Sequence, residues 1–330
     1  MSKKNEEKFC KCNFFEPKNL QSDIGFVANY TDSNLVNPWG IVIRHKVIYV
    51  ANNGGDGATA GTVTRYNLCG LPISGNTLSV EGRPTGLVVN KGNGFQISNG
   101  TTQPSKIIVA TEEGTLLGFN EAISSTSFVP ITITAPDEMT TPSYVGIAMS
   151  CDDLYLYATD IANQNIVKFD SSATIVSTFT DPVLVAQNYA PYGITVIKKY
   201  VYVSFVQIDP ENPLTPVPGI GHGYIDIFCA TTGSLLRRFT SRGPLNNPTG
   251  LLRCKEKLLV ANNGDGRILT YNLCSGDFLG ALKYCEAPSD PIIVDGVKNL
   301  ALSSCNNKIY YTQGIENGEN YNGILGVLKH

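Results

Sequence analysis

The sequence repeats itself. "NPWGIVIRHKVIYVANNGGDG" begins at Asn37, and "NPTGLLRCKEKLLVANNGDG" begins at Asn247. Aligning on the shared glycine exposes further copies at Pro84-Thr85-Gly86-Leu87, Tyr144-Val145-Gly146-Ile147 and Pro191-Tyr192-Gly193-Ile194. A sixth, "NLALSSCNNKIYYTQG", aligns with "VGIAMSCDDLYLYATD" through Cys305 and Cys151, which sets Leu300 at the glycine position. Six units of about forty to fifty residues predict a propeller or solenoid, not a duplicated pair of domains.

Each unit has one internal grammar: a short apolar strand after the glycine, a polar turn, and a β-branched and aromatic strand ending in "VAN" or "YAT". A Gly/Asn/Asp turn and two further strands complete it. Apolar residues alternate or run for only a few positions between turn residues, which excludes helices. Four short antiparallel strands make a propeller blade, so the chain is read as all-β, a six-bladed β-propeller. The sixth unit supplies no fourth strand. The segment around "PKNLQSDI" is expected to provide it, closing the ring and removing its free edge. Residues 1–13 are then a flexible tail, and 14–330 the propeller.

Composition narrows the function. A hydrophobic share of 42%, a charged share of 16% and a net charge of −3 describe a globular chain with no basic surface for nucleic acid. No run is long enough to span a bilayer, and the polar start "MSKKNEEKFCKC" has no apolar stretch of a secretory signal behind it. The expected setting is cytoplasmic or virion-associated. Sparse Arg and Ala beside abundant Asn, Ile and Tyr point to an AT-rich genome, such as that of a large DNA virus or a protist; in the viral case the expectation is a virion component.

The units also resemble a known group. "NLQSDI" from Asn19, "NLVNPWG" from Asn34, "ATEEGT" from Ala110, "HGYIDIF" from His222, "GSLLRRF" from Gly233, "GDGRI" from Gly264 and "IYYTQG" from Ile309 follow one another as in an uncharacterised family of β-propeller proteins. That family is mostly bacterial and often exported. Here His222 replaces an Asn, Cys229 an Asp, and Val297-Lys298 a Leu-Trp. The resemblance implies the fold; it implies no catalytic residues.

In such a ring the turns between second and third strands share a face with the starts of the first strands. Trp39, Thr85, Tyr192, Thr249 and Asn299 are expected around the channel mouth. Asn52, Asn53, Asp56, Glu112, Glu113, Asp160, Asn262, Asn263, Asp265 and Glu316 should lie further out, with the proline-rich loop from Gln207 to Gly223. Long excursions in compact blades are often functional, although Asn, Asp and Gly also simply make turns. The ligand or partner candidates are Trp39, Asn52, Glu112, Asp160, Tyr192, His222, Asp265 and Asn299. Aromatic rings beside amides and carboxylates suit a small molecule or glycan, and equally a protein.

Chemistry is harder to place. Calcium-dependent hydrolases on six blades need converging carboxylates, and the first-strand starts offer Trp39, Thr85, Val145, Tyr192, Thr249 and Asn299 instead. His45 falls in a hairpin turn and His330 ends the chain, which leaves His222 as the imidazole to consider. No P-loop, CxxC, HExxH or GxSxG motif occurs. A binding or structural protein without metal or cofactor is the expected function, with a hydrolase-like enzyme at the channel mouth as the alternative. Nine cysteines cannot all pair internally, and Cys69, Cys151, Cys229, Cys254, Cys274 and Cys305 are expected on the face opposite the mouth, either as tolerated turn residues or as a thiol-rich contact surface.

Overall fold

The computed structural model describes residues 13–329 apart from 56, 137–139, 306 and 318–319. Five four-stranded antiparallel sheets, and a six-stranded sheet whose four antiparallel strands make the last blade, form the six blades of a propeller. Blade 1 runs Pro38–Arg44, Val47–Asn52, Ala60–Asn67 and Pro72–Glu81, from the channel outward. The innermost strands of blades 2 to 6 are Pro84–Val89, Tyr144–Met149, Tyr189–Ile197, Pro248–Cys254 and Val297–Leu302. Blade 2 carries an extra hairpin, Gln96–Asn99 with Thr101–Pro104, and one short helix, Pro182–Val185, precedes blade 4. No helix among the described residues is long and apolar enough to cross a membrane.

The N-terminal segment closes the ring, as the missing strand required. Phe14–Ser22 pairs antiparallel with Asn320–Lys329, from Glu16↔Lys329 to Ser22↔Ile324, with a register shift between Asn19 and Gln21. Phe15 is buried in the core between blades 5 and 6, and Leu20 in the core between blades 6 and 1. One strand thus fastens both sides of the last blade. The expected tail lies outside the described residues, apart from Asn13, whose backbone oxygen accepts the Lys283 amide at 2.7 Å.

The repeated glycine has a steric cause. A Cβ on Gly40 would stand 2.4 Å from the Thr85 carbonyl oxygen, one on Gly146 2.6 Å from that of Tyr192, and one on Gly193 2.1 Å from that of Thr249. Neighbouring innermost strands approach too closely there for a side chain. Hydroxyls lock the same joints: Thr85 donates to the Tyr144 carbonyl at 2.8 Å, Ser204 to that of Pro248 at 2.7 Å, and Thr312 to that of Trp39 at 2.6 Å.

Blade 6 corrects one expectation. Asn299 pairs with Thr312 as Gly146 pairs with Thr159, and Leu300 with Tyr311 as Ile147 with Ala158. Asn299, not Leu300, therefore holds the glycine position, and Lys298 holds the place of Trp39, Val145 and Tyr192. Matching Cys305 to Cys151 slips the alignment by one residue. In a strand such a slip moves every side chain to the opposite face.

Candidate functional site

The long repeat of the sequence is first a scaffold. In blade 1 the Asn53 amide donates to the Asn37 carbonyl at 3.0 Å, and in blade 5 the Asn263 amide donates to that of Asn247 at 3.0 Å. Both Asn37 and Asn247 take left-handed φ, 47° and 51°, which asparagine tolerates better than most residues. Their side chains reach the same partners, Asn37 Nδ2 to Asn53 Oδ1 at 3.5 Å and Asn247 Nδ2 to Asn263 Oδ1 at 3.0 Å. "NP-G…ANNG" therefore ties the start of an innermost strand to the turn after the second strand.

Several site candidates belong to this scaffolding. Asn52 is buried and donates to Thr62 and Thr64 at 3.0 Å each. Asp160 is fully buried; its Oδ1 accepts the Ser143 amide at 3.0 Å and its Oδ2 the Asn163 side chain at 2.6 Å. Burial pushes its carboxyl up, and those bonds offset part of the shift. Asp265 pairs with Arg267 at 2.6 Å and accepts from Asn262 at 2.9 Å. His222 bonds the Val217 carbonyl through Nδ1 at 3.0 Å, bracing the 207–223 loop from behind. Asp56 lies outside the described residues, as does the side chain of Glu316.

Trp39, Glu112 and Tyr192 do come together. They line a cavity of about 650 Å³ over the channel mouth, to which all six blades contribute. Its floor is the tilted Trp39–Tyr192 pair, with ring centroids 6.3 Å apart, beside Val145. Blade 3 adds Thr141, Pro142 and Ser143, and blade 5 adds Asn247 and Asn263. The proline-rich excursion forms one wall through Asn212, Leu214, Thr215, Pro216 and Pro218. Beneath the floor the channel narrows to a void of about 30 Å³ at the glycine ring, where Asn299 lies. That space holds a water or two and no larger molecule.

Two cations outside the expected set, Lys298 and Arg83, also line the cavity. Lys298 Nζ stands 4.9 Å from the centroid of the Trp39 ring, a cation–π distance. Arg83 pairs with Glu112 at 2.7 Å and with Glu113 at 3.1 Å. Burial would raise the Glu113 carboxyl, but bonds from the Arg83 backbone and guanidinium outweigh it and hold the group below its ordinary value. Asn53 also donates to Glu112 at 3.3 Å, joining blade 1 to blade 2.

The two scaffold asparagines differ in how their side-chain oxygens are satisfied. Asn37 Oδ1 receives the Trp39 indole N–H at 3.1 Å. Blade 5 has Thr249 where blade 1 has Trp39, and the equivalent Asn247 Oδ1 is buried without a hydrogen-bond partner. Buried amide oxygens are rarely left so.

On the opposite face Cys69, Cys151, Cys274 and Cys305 are exposed free thiols and Cys229 is half-buried. Cys254 departs from the expected thiol surface, being buried at the end of its strand and disulfide-bonded.

Fold and site together define a six-bladed β-propeller with an aromatic-floored, mixed-charge cavity at the channel mouth. Solved structures share the fold at 13–14% identity. A luciferin-regenerating enzyme matches with a TM-score of 0.60, over 96% of this chain and 95% of that one. A streptogramin B lyase matches with a TM-score of 0.53, over 96% and 97%. No family model matches the chain. Sequence relatives include proteins of Acanthamoeba polyphaga mimivirus. The uncharacterized protein R648 is 32% identical over 91% of this chain and 76% of its own length, and the uncharacterized protein L690 is 31% identical over 94% and 84%. The chain belongs to one family with these uncharacterized mimivirus proteins.

Proposed function

We propose that the protein is a non-enzymatic binding protein that seats a polar small molecule of saccharide size in the cavity at the channel mouth. The observation that carries this reading is the cavity's volume of about 650 Å³ with its make-up. Ligand sites span about 300–1,000 Å³ and combine flat apolar area with a few directed polar groups. Trp39 and Tyr192 offer the flat area; Asn247, Asn263, Ser143 and Lys298 offer donors and acceptors at its edge. The carboxylates at the rim speak for binding over hydrolysis, because Asp160 and Asp265 hold turns and Glu112 is paired with Arg83. The viral relatives support a virion-associated setting. Saccharide-array binding by the wild-type protein tests the reading against a variant with Tyr192→Ala and residues 210–218 shortened. Array signal is expected from the first and not the second.

A further inference from the structure

A second concavity lies on the opposite face, where blades 4 and 5 meet, and a bond made at two other joints is missing there. Tyr157 in blade 3 and Tyr310 in blade 6 occupy the same place on their second strands. Tyr157 donates across the joint to the Ala230 carbonyl at 2.7 Å, and Tyr310 to that of Leu68 at 2.8 Å. Each acceptor is the first residue after the next blade's third strand, Gly223–Cys229 in one case and Ala60–Asn67 in the other. In blade 1 the equivalent Tyr49 meets Arg65. In blade 4 the equivalent is Tyr202, and the matching acceptor would be Leu273. Tyr202 is 95% buried, being 5% exposed. Among the described residues its hydroxyl makes no hydrogen bond.

The joint stands open there as a groove of about 480 Å³, with Ile227 and Leu273 in its wall. Two arginines flank the hydroxyl, and both are held by backbone. Arg237 donates one N–H to the Cys274 carbonyl at 2.8 Å and packs over Phe239, and Arg253 donates its Nε–H to that of Lys255 at 3.1 Å. Neither forms an ion pair among the described residues, and the same holds for Lys198 at the edge. One carboxylate, Glu256, faces these three cations. In a chain of net charge −3 this is a local excess of positive charge over an apolar floor.

We propose that the groove is a second ligand site, for a small amphipathic anion: a carboxylate carried on an aromatic or short alkyl body. The carboxylate accepts from the Tyr202 hydroxyl and from the spare guanidinium N–H groups of Arg237 and Arg253, while the body covers Ile227 and Leu273. Charge-assisted bonds of this kind are about twice as strong as neutral ones and fit a planar carboxylate. A neutral ligand of the same shape gains only the apolar contact. The site is independent of the channel mouth.

Calorimetric titration with 2-naphthoate and with its neutral counterpart 2-naphthamide tests this. Naphthoate is expected to bind at least about tenfold more tightly than naphthamide. Arg237→Gln with Arg253→Gln should remove that difference, and Tyr202→Phe should reduce it, with melting temperatures recorded to show that each variant is folded. Added salt should weaken naphthoate and leave naphthamide unchanged. Equal affinity of the wild-type protein for the two compounds, a naphthoate preference that survives the double arginine substitution, or no naphthoate binding at millimolar concentration would overturn the proposal.

Discussion

The Trp39 indole N–H donates to Asn37 Oδ1 at 3.1 Å, and this bond fixes the aromatic floor of the channel mouth. The ring is held from three directions: by Asn37, by Tyr192 and by the ammonium of Lys298. A floor held this way is preorganised, so a ligand stacked on it loses little side-chain freedom on binding.

Trp39→Phe keeps a ring but removes the donor, leaving a buried amide oxygen alone. A loss of about 1–2 kcal/mol in unfolding free energy is expected from denaturant titration. A variant as stable as the wild type would mean that the bond contributes nothing.

The closing strand is the ring's seam, and its two buried side chains serve different joints. Phe15→Ala should cost about 3–5 kcal/mol and Leu20→Ala about 2–5 kcal/mol, because Phe15 packs toward blade 5 and Leu20 toward blade 1. Combining them should open the seam, and limited proteolysis should then cut first near residues 23–36. A double variant with wild-type melting temperature and protease resistance would place the stability elsewhere.

A buried carboxylate gives blade 4 a pH dependence. Asp226 is fully buried; it is bonded through Oδ1 to Arg238, which also holds Asp181, and its Oδ2 has no partner. Burial pushes its carboxyl from 3.8 up to about 7, against the pull of Arg238. The folded state thus favours the protonated form more than the unfolded chain does. The stability this adds is complete below about pH 4 and is lost as pH rises through about 7. Asp226→Asn should flatten the melting-temperature profile between pH 4 and 8 and gain about 1–2 kcal/mol at pH 8 relative to pH 5. Parallel profiles for variant and wild type would contradict the assignment.

Much of this was legible in the chain because a propeller enforces its grammar locally. Glycines such as Gly193 are demanded wherever innermost strands touch, and a sixth unit one strand short pointed to the segment around "PKNLQSDI", where the strand is Phe14–Ser22. The site was less legible. Asn52, Asp160 and Asp265 carry the residue types of a binding rim, yet turn capping uses the same side chains at the same places. Lys298 was hidden by the coincidence of Cys151 and Cys305, which offset blade 6 by one residue. The groove beside Tyr202 leaves no trace in composition, because it depends on which tyrosine hydroxyl finds a carbonyl in the next blade.

The most direct test of the mouth as the working surface uses Trp39, the only tryptophan in the sequence, as its own reporter. Its emission should be followed while the protein is titrated with mono-, di- and trisaccharides bearing neutral, amino and carboxylate groups. The account predicts a saturable shift with at least one member of the series, lost when Tyr192→Ala is combined with shortening of residues 210–218. Emission that stays flat across the whole series, or a shift that survives those changes, would contradict it.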